Sequence, residues 1–292
     1  MILIVGATGD LGSRITDRLI AQGEDVRLLV RPGHGKGDRL PRDAERVTGD
    51  LKDPTSLAVA CAGVHTVVTT ANASARGAPD TVESVDLIGN RNLIEAAEAA
   101  GVGRYLFVSA LGAHPDHPMP LLRAKGVAEQ RLRSSSMTWT VLQPNVFMDK
   151  LIPIVVGEPA LSGRPVTLIG SGRRRHSFVA MEDVAAYACA ALTHPQAAWQ
   201  TVVIAGPEPL SWYDIVAAFE NELRTSVPVQ TVLPGAPTPH LPEFVMQLLA
   251  GLDGYDSAID MTQTSNTFGI EPTHLADFIH TFTSTVRDQV AG

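Results

Sequence analysis

Three glycines spaced three apart, Gly6, Gly9 and Gly12 in the run VGATGDLG, carry the plainest chemical consequence in this chain. An apolar, β-branched run (ILIV) precedes them and a helical pattern, Ile15, Leu19 and Ile20, follows. Strand, glycine turn and helix in that order bring backbone N–H groups and the positive end of a helix up to an anion, which is what a dinucleotide pyrophosphate needs. Gly6 is expected to make the tight turn, Gly9 to let the backbone approach the phosphates, and Gly12 to let the helix pack closely on the strand. Thr8, Asp10 and Leu11 complete the loop. The spacing is GxxGxxG rather than GxGxxG, and the bland alternative is an ordinary tight βα turn.

The next polar residues fall at predicted strand ends. Residues 25–30 (DVRLLV) read as a second strand, and its end carries Arg31 instead of a carboxylate. A carboxylate there would accept from ribose hydroxyls and repel a 2′-phosphate; a guanidinium pairs with that phosphate, which favours NADPH over NADH. His34, Lys36 and Arg39 add positive charge, and a plain surface arginine is the alternative. A third strand over residues 47–51 ends at Asp50 and Leu51, where Asp50 can meet the adenine amino group or close the turn. The fourth, residues 64–70, opens at Thr70 into the small residues Ala71, Asn72, Ala73 and Ser74, leaving room for a ligand. Ser109 closes the fifth strand; with no G-x-S-x-G it is read as a ligand-facing hydroxyl rather than a nucleophile. Pro144, Asn145 and Phe147 follow the sixth, and His114, His117 and Lys125 lie between those two strands. His114-x-x-His117 lacks a third ligand, so no metal is expected, and an exposed loop pair is its bland reading.

These residues need a scaffold. Five or six strands alternate with helices (Asp53-Pro54 starts one, residues 79–100 form a long one closed by Gly101, residues 120–134 another), which predicts a doubly wound parallel α/β sheet with its ligand crevice along the carboxyl strand ends. Residues 1–150 are expected to form the dinucleotide-binding domain, with segments near 176–205 returning to the sheet, and residues 151–292 mainly a substrate domain. There Pro and Gly grow denser, as at Gly157-Glu158-Pro159. Helices near residues 212–223 and 242–249 and a strand near 227–232 would cap the crevice. Trp212, Phe244, Met246 and Tyr255 read as core, with a lid over an aromatic ligand as the alternative. A net charge of −8 argues against nucleic acid, and 45% hydrophobic residues without a bilayer-length apolar run against a membrane span. Two cysteines, Cys61 and Cys189, in apolar patterns are expected to be buried thiols of a cytoplasmic protein, monomeric or homodimeric.

The motifs together resemble the atypical short-chain dehydrogenase/reductases of the NmrA-like and isoflavone-reductase-like group. GATGDLG (6–12), LLVRP (28–32), GDLKDP (49–54), VDLIGNRNLIEAA (85–97) and FVSALGA (107–113) carry the resemblance, with the stretch 123–149 as its most specific piece and SFVAMEDVA (177–185) extending it. It implies an extended Rossmann domain binding NADPH, a small C-terminal α+β substrate domain, and Thr8, Gly9, Asp10, Leu11, Arg31, Asp50, Leu51, Thr70 and Asn145 as cofactor neighbours. Most short-chain reductases pair a tyrosine with a lysine four residues later; here Lys125 matches the lysine but Leu121 stands in the tyrosine's place. Tyr105 and Tyr187 read as packing residues. Three routes stay open: Lys125 acts as acid or base, His114 or His117 supplies the proton, or the substrate accommodates the charge. Lys125 that only holds the cofactor ribose is the bland reading. The expected activity is NADPH-dependent hydride transfer to a carbonyl of an aromatic, polyketide-like or quinonoid small molecule. The alternative is a catalytically silent NADP(H) sensor, and sugar epimerisation is weakened by the missing tyrosine.

Overall fold

A computed structural model describes every residue except 34–39, 43, 74–75, 237, 239 and 292, and no side chains at 289–291. His34, Lys36, Arg39 and Ser74 therefore lie outside the described residues. The chain divides into two compact units, Met1–Pro144 with Val184–Ile204, and Asn145–Asp183 with Ala205–Gly292.

The first unit is built on a seven-stranded parallel sheet. Its strands are β1 (Ile2–Val5), β2 (Val26–Val30), β3 (Glu45–Thr48), β4 (Thr66–Thr69), β5 (Arg104–Val108), β6 (Thr138–Pro144) and β8 (Gln200–Ile204). Their order is β3-β2-β1-β4-β5-β6-β8. β1 and β4 are buried at every residue, as strands covered on both faces must be. The order reverses between β1 and β4, so their outgoing loops part there and leave the crevice in which such sheets bind ligands. Helices α1 (Asp10–Ala21), α2 (Pro54–Cys61), α3 (Asn90–Ala99), α4 (Pro120–Arg133) and the later part of α7 (Met181–Thr193) connect the strands. Leu3, Val5, Leu57, Val67, Leu93, Tyr105, Phe107 and Leu132 belong to one buried apolar cluster on this sheet. Cys61 and Cys189 are buried and free. Burial pushes the Cys61 thiol up to about 11.

Three sequence expectations need correction in this unit. The third strand stops at Thr48, short of Asp50, because the Asp50 carboxylate accepts the Lys52 N–H at 2.9 Å and turns the chain. The long helix over residues 79–100 starts at Val82, capped by Thr81, and its first half, Val82–Gly89, is π-helical before α3 continues it. Ser177–Val179 does not return to the sheet: its backbone bridges belong to the second unit, where Val179 meets Phe147 and the adjoining His176 meets Leu210 and Ser257.

The second unit holds a two-stranded parallel sheet of β7 (Val166–Ile169) and β9 (Val229–Val232), with α5 (Met148–Ile152), α6 (Glu158–Leu161), α8 (Trp212–Leu223), α9 (Glu243–Leu252), α10 (Thr262–Phe268) and α11 (Leu275–Ala291) around it. Gly157-Glu158-Pro159 does not break the chain into a loop. A π-helical turn, Pro153–Gly157, runs straight into α6, and a methyl at Gly157 would stand 2.6 Å from the Phe282 ring. Trp212 is core, whereas Phe244 and Tyr255 are 59% and 51% exposed, so neither packs as expected. Among the described residues no helix is long and apolar enough to cross a membrane.

Candidate cofactor and active site

The glycine loop is a cradle that side chains would fill. Gly6 adopts φ +98°, which an L side chain resists, and the Gly9 N–H closes the turn onto the Gly6 carbonyl at 2.9 Å. A methyl on Gly12 would stand 2.1 Å from that same carbonyl oxygen, so only glycine lets α1 start this close to β1. Gly9 is the N-cap of α1 and no side chain caps the helix. Its first amides and the helix dipole therefore face the loop, and these residues fit a dinucleotide pyrophosphate. Thr8 and the exposed Asp10 edge the loop, while Leu11 is buried beneath it. Across the switch point Thr70 donates its N–H to Val5, and its hydroxyl lies where a Gly6 methyl would be. Ala71 is buried beside it, and Asn72 hydrogen-bonds back to the Thr70 carbonyl.

Arg31 leaves the end of β2 and meets an unforeseen partner. Its Nη1 is 3.0 Å from Asp80 Oδ2, Lys52 Nζ is 2.5 Å from Asp80 Oδ1, and Arg76 Nη1 is 3.4 Å from Oδ2. Asp50 closes its turn, the bland half of its reading, and Leu51 is buried in the core with its carbonyl bound by Asn92. Lys52, Arg76 and Asp80 escaped sequence reasoning because Arg31 and Lys52 reach Asp80 from other loops. The signal was available only as an Arg-x-x-x-Asp spacing in a Gly/Pro-rich segment.

Lys125 lies inside the first unit, on α4. Its Nζ donates to the Val108 carbonyl at 3.1 Å and stands 5.1 Å from the centre of the Phe107 ring. Burial holds its ammonium below the ordinary lysine range, against the opposing pull of Asp86 and Glu129. The next residue, Gly126, brings α4 against the preceding loop: a methyl there would stand 2.3 Å from the His114 backbone carbon. Asp86, on the π-helical turn, is fully buried; Oδ2 accepts the Ala73 N–H at 2.9 Å and Oδ1 has no hydrogen-bond partner among the described residues. Burial raises its carboxyl, partly offset by Lys125. The period of the buried face (Asp86, Asn90, Leu93, Ala97) pointed to it, since a carboxylate on an apolar helical stripe needs a reason.

Several expected site residues are spent elsewhere. The Ser109 hydroxyl donates to buried Glu129 at 2.5 Å, and Glu129 also accepts from Gln143 and Arg133. Ser109 therefore faces a polar network in place of a ligand. Pro144 accepts the Leu111 N–H. Asn145 and Phe147 belong to the second unit, where Asn145 Nδ2 donates to Ser177 and Ser257 and Phe147 bridges to Val179. The side chain of Asn145 is thereby committed to tying chain segments together. His114 and His117 each use Nδ1 to accept a nearby backbone N–H, from Asp116 and Met119, and the His114 ring is 66% exposed. Both act as turn-formers, the bland reading of the pair. Tyr105 and Tyr187 are buried packing residues.

Comparison with known proteins agrees with this geometry. The NAD(P)H-binding family matches residues 6–195. An NAD(P)H azoreductase of Xenophilus azovorans is 31% identical over 218 residues, covering 75% of this chain and 72% of the azoreductase. The photosystem II assembly factor Ycf39 of Cyanophora paradoxa is 34% identical over 151 residues, which are 52% of this chain and 47% of that protein. In fold, the chain is similar to an NADPH-dependent quinone oxidoreductase of Escherichia coli solved with NADPH, with a TM-score of 0.81 at 21% identity over 97% of this chain and 100% of the other. Glycine cradle, switch-point crevice and family match converge: this chain belongs to the NAD(P)H-binding family.

Proposed function

We propose that this protein is an NADPH-dependent reductase of quinonoid, azo or aromatic carbonyl compounds, with Lys125 in the proton donor's role that tyrosine fills in most short-chain reductases. The observation that carries the reading is the buried Lys125 ammonium, held by one hydrogen bond, to Val108, among the described residues. An ammonium has three N–H groups, so two have no acceptor among the described residues and could meet a ligand. The bound cofactor supplies a hydride. The glycine loop and α1 would hold its pyrophosphate, Arg31 would face its 2′-phosphate, and Lys125 would orient its ribose. Reducing a quinone to a hydroquinone, or an azo bond to a hydrazine, takes one hydride and one proton. Lys125 gives the proton and recovers it from water. A quinone suits the site because its product anion is delocalised and asks little of the acid.

The azoreductase relative supports this reading, and the test is NADPH consumption with quinones, azo dyes and polycyclic ketones, comparing wild type with Lys125→Ala. Turnover that collapses in the variant while NADPH affinity persists is the expected result. Turnover that survives would move the proton to the His114–His117 loop or to the substrate. A second reading, a silent NADP(H) sensor acting on a protein partner, draws on Leu121 and on relatives named as assembly factors. Tight NADPH binding with no turnover across the panel would favour it.

A further inference from the structure

Asp86 is a fully buried acid with one oxygen left over. It stands on the π-helical turn Val82–Gly89, which packs against α4, the helix that carries Lys125. Its Oδ2 accepts the Ala73 N–H at 2.9 Å, which ties the carboxyl to the loop after β4. Its Oδ1 has no hydrogen-bond partner among the described residues. At the i+4 position Asn90 holds the Val85 and Asp86 carbonyls through Nδ2, and its own Oδ1 is likewise without a partner there. Lys125 has the complementary surplus, two N–H groups with no acceptor among the described residues.

The charges point the same way. A carboxylate taken out of water is costly unless a cation answers it. Among the described residues no side-chain donor hydrogen-bonds to Asp86; Lys125 is the cation that acts on it most strongly, with Arg76 weaker. At Lys125, burial disfavours the ammonium, and Asp86 opposes that effect more than Glu129 does, although Glu129 lies one turn along the same helix. Glu129 is already answered, because Ser109, Gln143 and Arg133 all donate to it. Asp86 is the acid with charge to spare.

We infer that Asp86 is the positioning residue of the Lys125 ammonium, a buried counter-charge pinned by the Ala73 amide that keeps the lysine protonated. Its consequence for turnover rests on the reading of Lys125 as proton donor. By favouring the ammonium over the amine, Asp86 returns the lysine to its donor form after each proton is given. It thereby sets where activity falls as pH rises.

The chain has four lysines, Lys36, Lys52, Lys125 and Lys150. Protein carrying ¹³C-labelled lysine therefore gives few side-chain signals, and Lys125→Arg identifies the one that matters. Its Cε shift, followed against pH without added cofactor, reads the protonation of Lys125 directly. Asp86→Asn keeps the shape and an oxygen for the Ala73 amide. It should lower the Lys125 midpoint by about one pH unit or more, a tenfold loss of proton affinity, and leave Lys150 unmoved. Asp86→Glu, which keeps the charge, should restore the midpoint toward wild type. An unmoved midpoint in Asp86→Asn, or an equal fall in Asp86→Glu, overturns the inference. Should Asp86→Asn not fold, the coupling is read from the other side: Lys125→Ala should raise the Asp86 carboxyl, followed by its own ¹³C shift, by about as much. No rise there overturns the inference too. The pH–rate profile on a quinone then separates the two readings. If its alkaline limb moves down with the Lys125 midpoint in Asp86→Asn, both stand. If the midpoint moves and the limb does not, Asp86 holds the charge but Lys125 is not the proton donor, and that reading falls alone.

Discussion

Lys125, Asp80 and Gly12 show how single residues carry charge and space in this molecule. In the proposed reaction Lys125 can donate a proton only while protonated, and burial holds its ammonium below the ordinary lysine range. Activity should therefore be full at low and neutral pH and fall as pH rises through that lowered value, earlier than a solvated lysine would allow. In Lys125→Ala the falling limb should vanish together with about 100-fold or more of kcat, the scale of a general acid. A pH–rate profile on a quinone reads both, and a wild-type profile flat through the alkaline range would remove Lys125 from proton transfer. Asp80 is also lowered, but in its case the charged form gains: its carboxyl is held below the usual carboxylate range chiefly by the Lys52 hydrogen bond, aided by Arg76. A carboxylate lowered in the native state adds stability above its unfolded pKa and loses it as pH falls through the native one. Asp80→Asn should thus lower the denaturation midpoint at neutral pH and converge with wild type in acid. A gap that persists at low pH would mean the asparagine disturbs packing and not charge. For Gly12 the argument is spatial. Gly12→Ala places a methyl 2.1 Å from the Gly6 oxygen, so it should cost about 1–3 kcal/mol and weaken NADPH binding. Calorimetric unfolding with a parallel cofactor titration would check the two effects together.

Elements were legible where one physical signal dominated. β1 with its glycine turn, β5, α4 and the Asp53-Pro54 helix start could be read directly, because continuous apolar runs, glycine spacing and a capping carboxylate are local facts; Asp53 does accept the Thr55 N–H. The first half of the 82–99 helix was misread in kind. Apolar period alone cannot tell π from α turns, and only the structure shows the wider winding that puts Asp86 beside the Ala73 amide. The candidate site divides in the same manner. Gly6, Gly12, Arg31 and Lys125 were visible in the sequence, whereas Asp80 and Glu129 gain meaning from partners many residues away, Arg31 and Lys52 for the one and Ser109 for the other. Asn145 and Ser109 stood in strand-end positions that suggested a ligand, but long-range packing gave each a protein partner first. Thr81 caps the π-helical turn in a reciprocal pair with Ser84, the two N–H bonds measuring 3.1 and 3.0 Å. Thr81→Ala should cost about 1 kcal/mol, as N-cap losses do, while Thr81→Ser restores it. Chemical denaturation of the two variants separates a lost cap from a lost methyl.

At the scale of the whole molecule, the chain does not complete its cofactor-binding unit before starting the next. It leaves that unit at Asn145 and returns at Val184 to supply the rest of α7 and β8. β8 pairs with β6 along five residues, from Thr140↔Gln200 to Pro144↔Ile204. The returning segment also accepts the Thr140 hydroxyl at Ala197 and the Arg104 guanidinium at Ala191. A boundary placed at residue 150, where the sequence pattern loosens, therefore cuts through a folding unit. A fragment of residues 1–150 exposes the β6 edge with Val141 and Leu142 behind it, both fully buried in the intact protein. Such an edge invites pairing with other chains. That fragment should aggregate, or fail to unfold cooperatively, and should not retain NADPH. A fragment that stops at Ile204, with a Gly/Ser linker replacing Asn145–Asp183, keeps all seven strands and should stay monomeric with one thermal transition. Sedimentation and thermal denaturation of the pair decide the matter. A well-behaved 1–150 fragment would show that β8 is an accessory strand, and that the glycine cradle and the Asp80 cluster need only the first six strands to form.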